Sequence, residues 1–213
     1  LNRKSDLSFN SVGEAHRMVH LLALHLLRED GCVFAQIGKV GEFNGKITPE
    51  CNLPAIKHNS LENLAEVCDR LLSTKLSPLK GYVKVVSSTQ EPFEAPSKRF
   101  QVSTEYQKTV CHCQLQCPIE VPTCVFRDRE RAGVSPRTPN HGQRQQIVPD
   151  IGERQVYAFS HEDQTTLYTW LAVDEFDRLR NEDMENFLLN WISGLEPDPC
   201  AVASGTHEVE RES

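Results

Sequence analysis

Along residues 13–29, GEAHRMVHLLALHLLRE, Leu and Ala predominate and apolar side chains fall on most sides of a helical wheel. That pattern predicts a well-buried helix. The chain turns at Asp30-Gly31, and CVFAQIGKV, 32–40, reads as a strand. Gly38, Gly41, Gly45 and Pro49 interrupt regular structure from the end of that strand to residue 49. A second helix is predicted after Ser60, a residue suited to its cap. Leu61, Leu64, Val67, Cys68, Leu71 and Leu72 share one face, and Pro78 marks its end.

From residue 79 the period changes. LKGYVKVVS, 79–87, alternates, and KRFQVSTEY, 98–106, does so through Phe100, Val102 and Thr104. IEVPTCVF, 119–126, is a further short strand. Residues 128–146 carry no apolar period and two Pro, which predicts a long flexible loop. RQVYAFS, 154–160, and TTLYTWLAV, 165–173, predict a hairpin around HEDQ. A final helix is predicted with Asn181 as cap, Glu182 and Asp183 in its first turn, and Met184, Phe187, Leu188, Trp191 and Ile192 facing the core. Gly194 ends it, and residues 196–213 read as a disordered tail.

The predicted class is α+β: a small helical N-terminal part followed by a five-stranded OB-like β-barrel with a C-terminal helix. The expected boundaries are 1–78 for the helical region and 79–195 for the barrel, with a Cys-rich insertion at 111–124 and the loop at 128–146. At 213 residues the chain can bury a real core, and no apolar run reaches the length of a spanning helix. The first residue is Leu1, so a fragment or processed product is expected, and no cleavable signal is visible.

Charge changes this picture. The net charge is −7, which argues against an all-over basic nucleic-acid binder. It is unevenly spread. Residues 75–146 hold eleven Lys/Arg against six Asp/Glu, whereas 147–213 hold four against fifteen. The basic middle suits an anionic partner, or is a solvated face balanced by the acidic end.

Four of the eight cysteines lie in VCHCQLQCPIEVPTC: Cys111, Cys113, Cys117 and Cys124. Thiolates close in sequence can supply a tetrahedral zinc site, so a structural zinc is one expectation. Disulfides in a secreted chain and buried free thiols are the alternatives. Cys32 and Cys68 fit the thiol reading. Known catalytic motifs are missing from the sequence. His16 and His20, with i,i+4 spacing on the first helix, could hold a metal, but they and His25 read better as a polar helix edge. Glu162, Asp163, Asp174, Glu175 and Asp177 read as turn, cap and solvated-face residues.

The stretch VYAFSHEDQTTLYTWLAVDEFDRL, 156–179, resembles the end of OB-folds in the replication protein A large subunit and protection-of-telomeres families. Asp163, Thr165, Leu167, Trp170, Leu171 and Phe176 fill comparable places, and Thr166 stands where those families often have Gly. The resemblance implies a single-stranded-DNA-binding domain over residues 79–193, with a zinc ribbon at the cysteine cluster. Such a groove pairs basic residues with aromatic platforms. Its candidates here are Lys84, Lys98, Arg99 and Arg127, with Tyr82 and Phe100 as platforms. The expected function is a non-catalytic DNA-binding or scaffold module of a DNA-repair or telomere complex in the nucleus. In it the acidic helix 181–193 docks a protein partner. A cytoplasmic or other intracellular protein-interaction domain and a secreted cysteine-rich domain are the alternatives.

Overall fold

The computed structural model describes residues 6–9, 15–96, 103–118, 121, 123–126 and 154–197. The predicted loop at 128–146 and the tail beyond 197 lie outside them. The described residues form eleven strands, three α-helices and short 3-10 turns, grouped in two compact units. The first comprises Leu1–Gln36 and Asn52–Ile119; the second comprises Ile37–Cys51 and Glu120–Ser213. No described helix is long and apolar enough to cross a membrane.

The first unit is organised on β2, Ala15–Leu27. This is the segment expected to be a helix. Its apolar residues lie on both faces: Val19 and Ala23 on one, Leu22, Leu24 and Leu26 on the other, all buried. A strand covered on both faces reads as a continuous apolar run, and periodicity cannot separate it from a buried helix. On one side β2 runs parallel to β7, Ser103–Leu115, in register from Arg17↔Thr104 to Leu27↔Gln114. On the other it takes three short antiparallel partners. These are β1, Asp6–Phe9, then β5, Ala55–His58, and at Leu27 the start of β3, Val33–Gly41.

β6, Val83–Pro96, pairs antiparallel with β7, with a bulge between Val85 and Ser87. The helix α1, Leu64–Thr74, buries Val67, Cys68, Leu71 and Leu72, the face predicted for it. Its cap is Asn63, not Ser60: the Asn63 side-chain oxygen accepts from Ala65 N at 2.9 Å.

The second unit takes up the end of β3. Its strand order is β11, β8, β9, β10, β3, with β4, Ile47–Asn52, also paired to β3. β8 is Thr123–Phe126 and β11 is Leu195–Pro197. β9, Val156–His161, and β10, Gln164–Leu171, form the predicted hairpin. Its core includes Ile37, Phe159, Tyr168, Trp170 and Phe176. Two helices come next, α2, Val173–Leu179, and α3, Glu185–Ser193. From α3 come Leu188, Trp191 and Ile192, buried as predicted. Glu175 fastens the start of α2: its carboxylate accepts from Ala172 N and from Arg154 Nη2.

The small helical N-terminal part and the five-stranded OB-like barrel are therefore both corrected. β6 and β7 pair within the first unit, where β7 lies against β2, whereas β8 to β11 build the second unit around the end of β3. The reason is the N-terminal segment. As a central strand it needs a hydrogen-bonding partner along its length, and β7 supplies one.

Candidate functional site

Side chains on a strand alternate between faces, and parallel neighbours in register share them. β2 and β7 therefore sort their chemistry by residue parity. Leu24 pairs with Cys111 and Leu26 with Cys113. Both cysteines are buried and lie near Cys68 of α1, and so define the α1 face. Between them, His25 and His112 form a pair on the opposite face.

His25 Nδ1 lies 3.2 Å from His112 Nδ1, with the rings edge to face and 5.2 Å apart. On its other side, His112 Nε2 lies 3.2 Å from the hydroxyl of Thr89 on β6. Thr89 is exposed and the two histidines are half-buried. Lys108 and Glu91 form an ion pair of 3.2 Å on the same pair of strands. Burial, more than any charge, lowers the affinity of His25 for a proton. His112 and Lys108 lower it further, and Glu91 partly offsets them. Three strands thus line up a hydroxyl, an imidazole bonded through both nitrogens, and a second imidazole that favours its neutral form.

On the α1 face, His20 of β2 stands opposite His58 of β5, rings 5.7 Å apart.

The cysteine cluster does not form. Cys111 and Cys113 are buried on β7, and burial pushes the Cys113 thiol up to about 12, which favours the protonated form over a thiolate ligand. The Cys113 thiol donates to the Cys111 carbonyl at 3.3 Å. Cys117 is exposed in the first unit, and Cys124 belongs to β8 of the second. Among the described residues no three His, Cys, Asp or Glu side chains gather to hold a metal ion, and all seven described cysteines are free thiols. The zinc ribbon and the disulfide framework are both corrected: a strand that puts alternate cysteines against a helix uses them as small hydrophobes.

Of the expected DNA-binding residues, Lys84 is exposed on β6 and Tyr82 is exposed just before it. Lys98, Arg99, Phe100 and Arg127 lie outside the described residues. Only Lys84 and Tyr82 of the six are among the described residues. The histidines were the residues missed. Their signal was spacing: His20 and His25 sit five apart, which in a strand places them on opposite faces.

No family model matches the chain, and no curated protein matches it. Among solved structures, a Nudix hydrolase from Nitrosomonas europaea is similar at 11% identity and a TM-score of 0.37, covering 84% of this chain and 91% of that one. A Nudix hydrolase from M. smegmatis is similar at 14% identity and a TM-score of 0.32, covering 54% and 72%. Scores this low carry no assignment of family or activity. With the barrel gone, the expectation of a non-catalytic DNA-binding module in DNA repair or at telomeres is overturned.

Proposed function

We propose that the chain is a hydrolase acting on activated acyl groups, with its reaction centre on β6, β7 and β2 of the first unit. The observation that carries this is the position of His112, 3.2 Å from Thr89 Oγ1 and 3.2 Å from His25 Nδ1. A hydroxyl is a weak nucleophile until an adjacent base takes its proton, and that base works best when a third group fixes its orientation. In the productive tautomer Thr89 donates to His112 Nε2, and His112 Nδ1–H donates to the lone pair of His25 Nδ1.

The chemistry then balances. Thr89 Oγ1 bonds to the acyl carbon as its proton moves to His112 Nε2. The carbonyl electron pair shifts to oxygen and returns, expelling the leaving group, which takes the proton from His112. Water repeats the cycle on the Thr89 ester, releases the acid and restores the hydroxyl. Thr89 is exposed, so substrate meets it from solvent. His25 is the positioning group.

The test uses 4-nitrophenyl acetate with the full chain. His112→Gln and Thr89→Val are expected to lower the rate about 100-fold or more. Thr89→Ser retains activity, and the wild type gives an acetyl adduct on Thr89 by mass spectrometry. A rate unchanged in His112→Gln overturns the proposal.

A further inference from the structure

Lys84 is exposed on β6, and no described residue pairs with its charge. Its place on the sheet comes from the bulge. Lys84 stands opposite Gln114 of β7, Ser87 opposite His112, and Thr89 opposite Val110. Residues two apart on a strand share a face, so Gln114 and Val110 lie on the face of His112. Between Val85 and Ser87 the register shifts, which leaves Val86 as the extra residue. Without it Lys84 and Thr89, five positions apart, would point to opposite faces. With it they share the face of His112.

The bulge thus brings rows of side chains into step across three strands. His25, His112 and Ser87 make one row; Leu27, Gln114 and Lys84 make the next, two residues along or about 7 Å. All three members of that second row are exposed. Thr89 lies one row to the other side of His112, and beyond it Glu91 closes an ion pair with Lys108. The leaving group takes its proton from His112 Nε2, so it departs on the His112 side of Thr89. Lys84 lies in that direction, one row further. Two steps of about 7 Å separate Thr89 from Lys84, a span that the lysine side chain and one benzene ring fill. An ammonium beside a primary amide offers positive charge and N–H donors, which suit a carboxylate or a phosphate. Glu91, on the far side of Thr89, disfavours an anion on the acyl group.

We infer that Lys84, with Gln114, receives an anionic group carried by the leaving group. The substrates are then acyl esters or thioesters of a carboxylate- or phosphate-bearing alcohol or thiol. The surplus of Lys and Arg over residues 75–146 agrees with an anionic ligand. The inference rests on the reaction centre proposed above and names its substrate class.

The test compares three esters on the full chain: 4-acetoxybenzoate, 4-acetoxyphenyl phosphate and the neutral 4-acetoxybenzamide. Lys84→Gln should lower kcat/KM for the anionic esters relative to the amide about threefold to fivefold, the size of an exposed ion pair, and through KM. Lys84→Arg should keep the preference, and added salt should weaken it in the wild type. A loss confined to one anionic ester assigns the site to that anion. An anionic-to-neutral ratio that is the same in wild type and Lys84→Gln overturns the inference and leaves cleavage at Thr89 standing. Cleavage of none of the three esters overturns the hydrolase reading instead. The anion site is then judged by titrating 4-hydroxybenzoate and following the Lys84 Cε resonance: a shift supports it, and none overturns it.

Discussion

His25 and His112 meet Nδ1 to Nδ1 at 3.2 Å across the parallel β2–β7 pair. One nitrogen must donate and the other accept, so the contact exists only while at least one ring is neutral. Burial already disfavours a proton on His25.

That sets a sign for pH dependence. The proton affinity of His25 is lowered in the folded chain. Well above the ordinary value of about 6.5, neither the folded nor the unfolded chain is protonated there, and nothing is lost. As pH falls through 6.5 the unfolded chain takes up the proton first, so stability declines, by less than ~1.4 kcal/mol per pH unit. Thermal unfolding between pH 8 and 5 should show a steeper acid loss in the wild type than in His25→Gln. Parallel curves would remove the buried imidazole from the explanation.

The thiols offer a direct check on the corrected cysteine cluster. Cys117 is exposed, whereas burial raises Cys51 and Cys113 to about 12 and Cys68 to about 11. The thiolate is the reactive form. With a disulfide reagent at pH 8, Cys117 should be modified first, and Cys51, Cys68 and Cys113 only as the chain unfolds. A chelator should not change that order. Four thiols released together by a chelator would restore the zinc ribbon.

Gly38 is a packing constraint in the second unit. A Cβ there would lie 2.5 Å from Ile192 Cδ1 of α3 and 3.1 Å from the backbone oxygen of Thr48. Gly38→Ala should destabilise by about 1–3 kcal/mol, the usual cost of overpacking. Ile192→Val removes the nearer atom, so it should recover part of that loss in the double variant. Urea unfolding of the four chains measures the coupling, and strict additivity would place the strain elsewhere.

Much of this molecule was legible in one dimension. The face of α1 is set by Val67, Cys68, Leu71 and Leu72 at helical spacing, and the β9–β10 hairpin by two apolar runs flanking HEDQ. Those signals are local: each depends on residues a few positions apart that bury one face against a core. The helix α2 was not among the predicted elements, and Glu175, read only as a turn, cap or surface residue, closes its start.

Residues 13–29 held no such information. Leu and Ala favour a helix, but propensity is a weak prior that tertiary contacts override. The segment becomes a strand because β7, more than 80 positions later, hydrogen-bonds to it from Arg17 to Leu27 while β1 and β5 take its other edge. The same pairing creates both histidine pairs. In a helix His20 and His25 would lie about 140° apart on one element, and neither would have a cross-strand partner. In a strand they part, one to His58 and the other to His112. The sequence by itself determined which local segments bury which faces, because that is a matter of spacing. Only the tertiary structure decided which histidines meet, because strand register is set by contacts between residues that no local pattern connects.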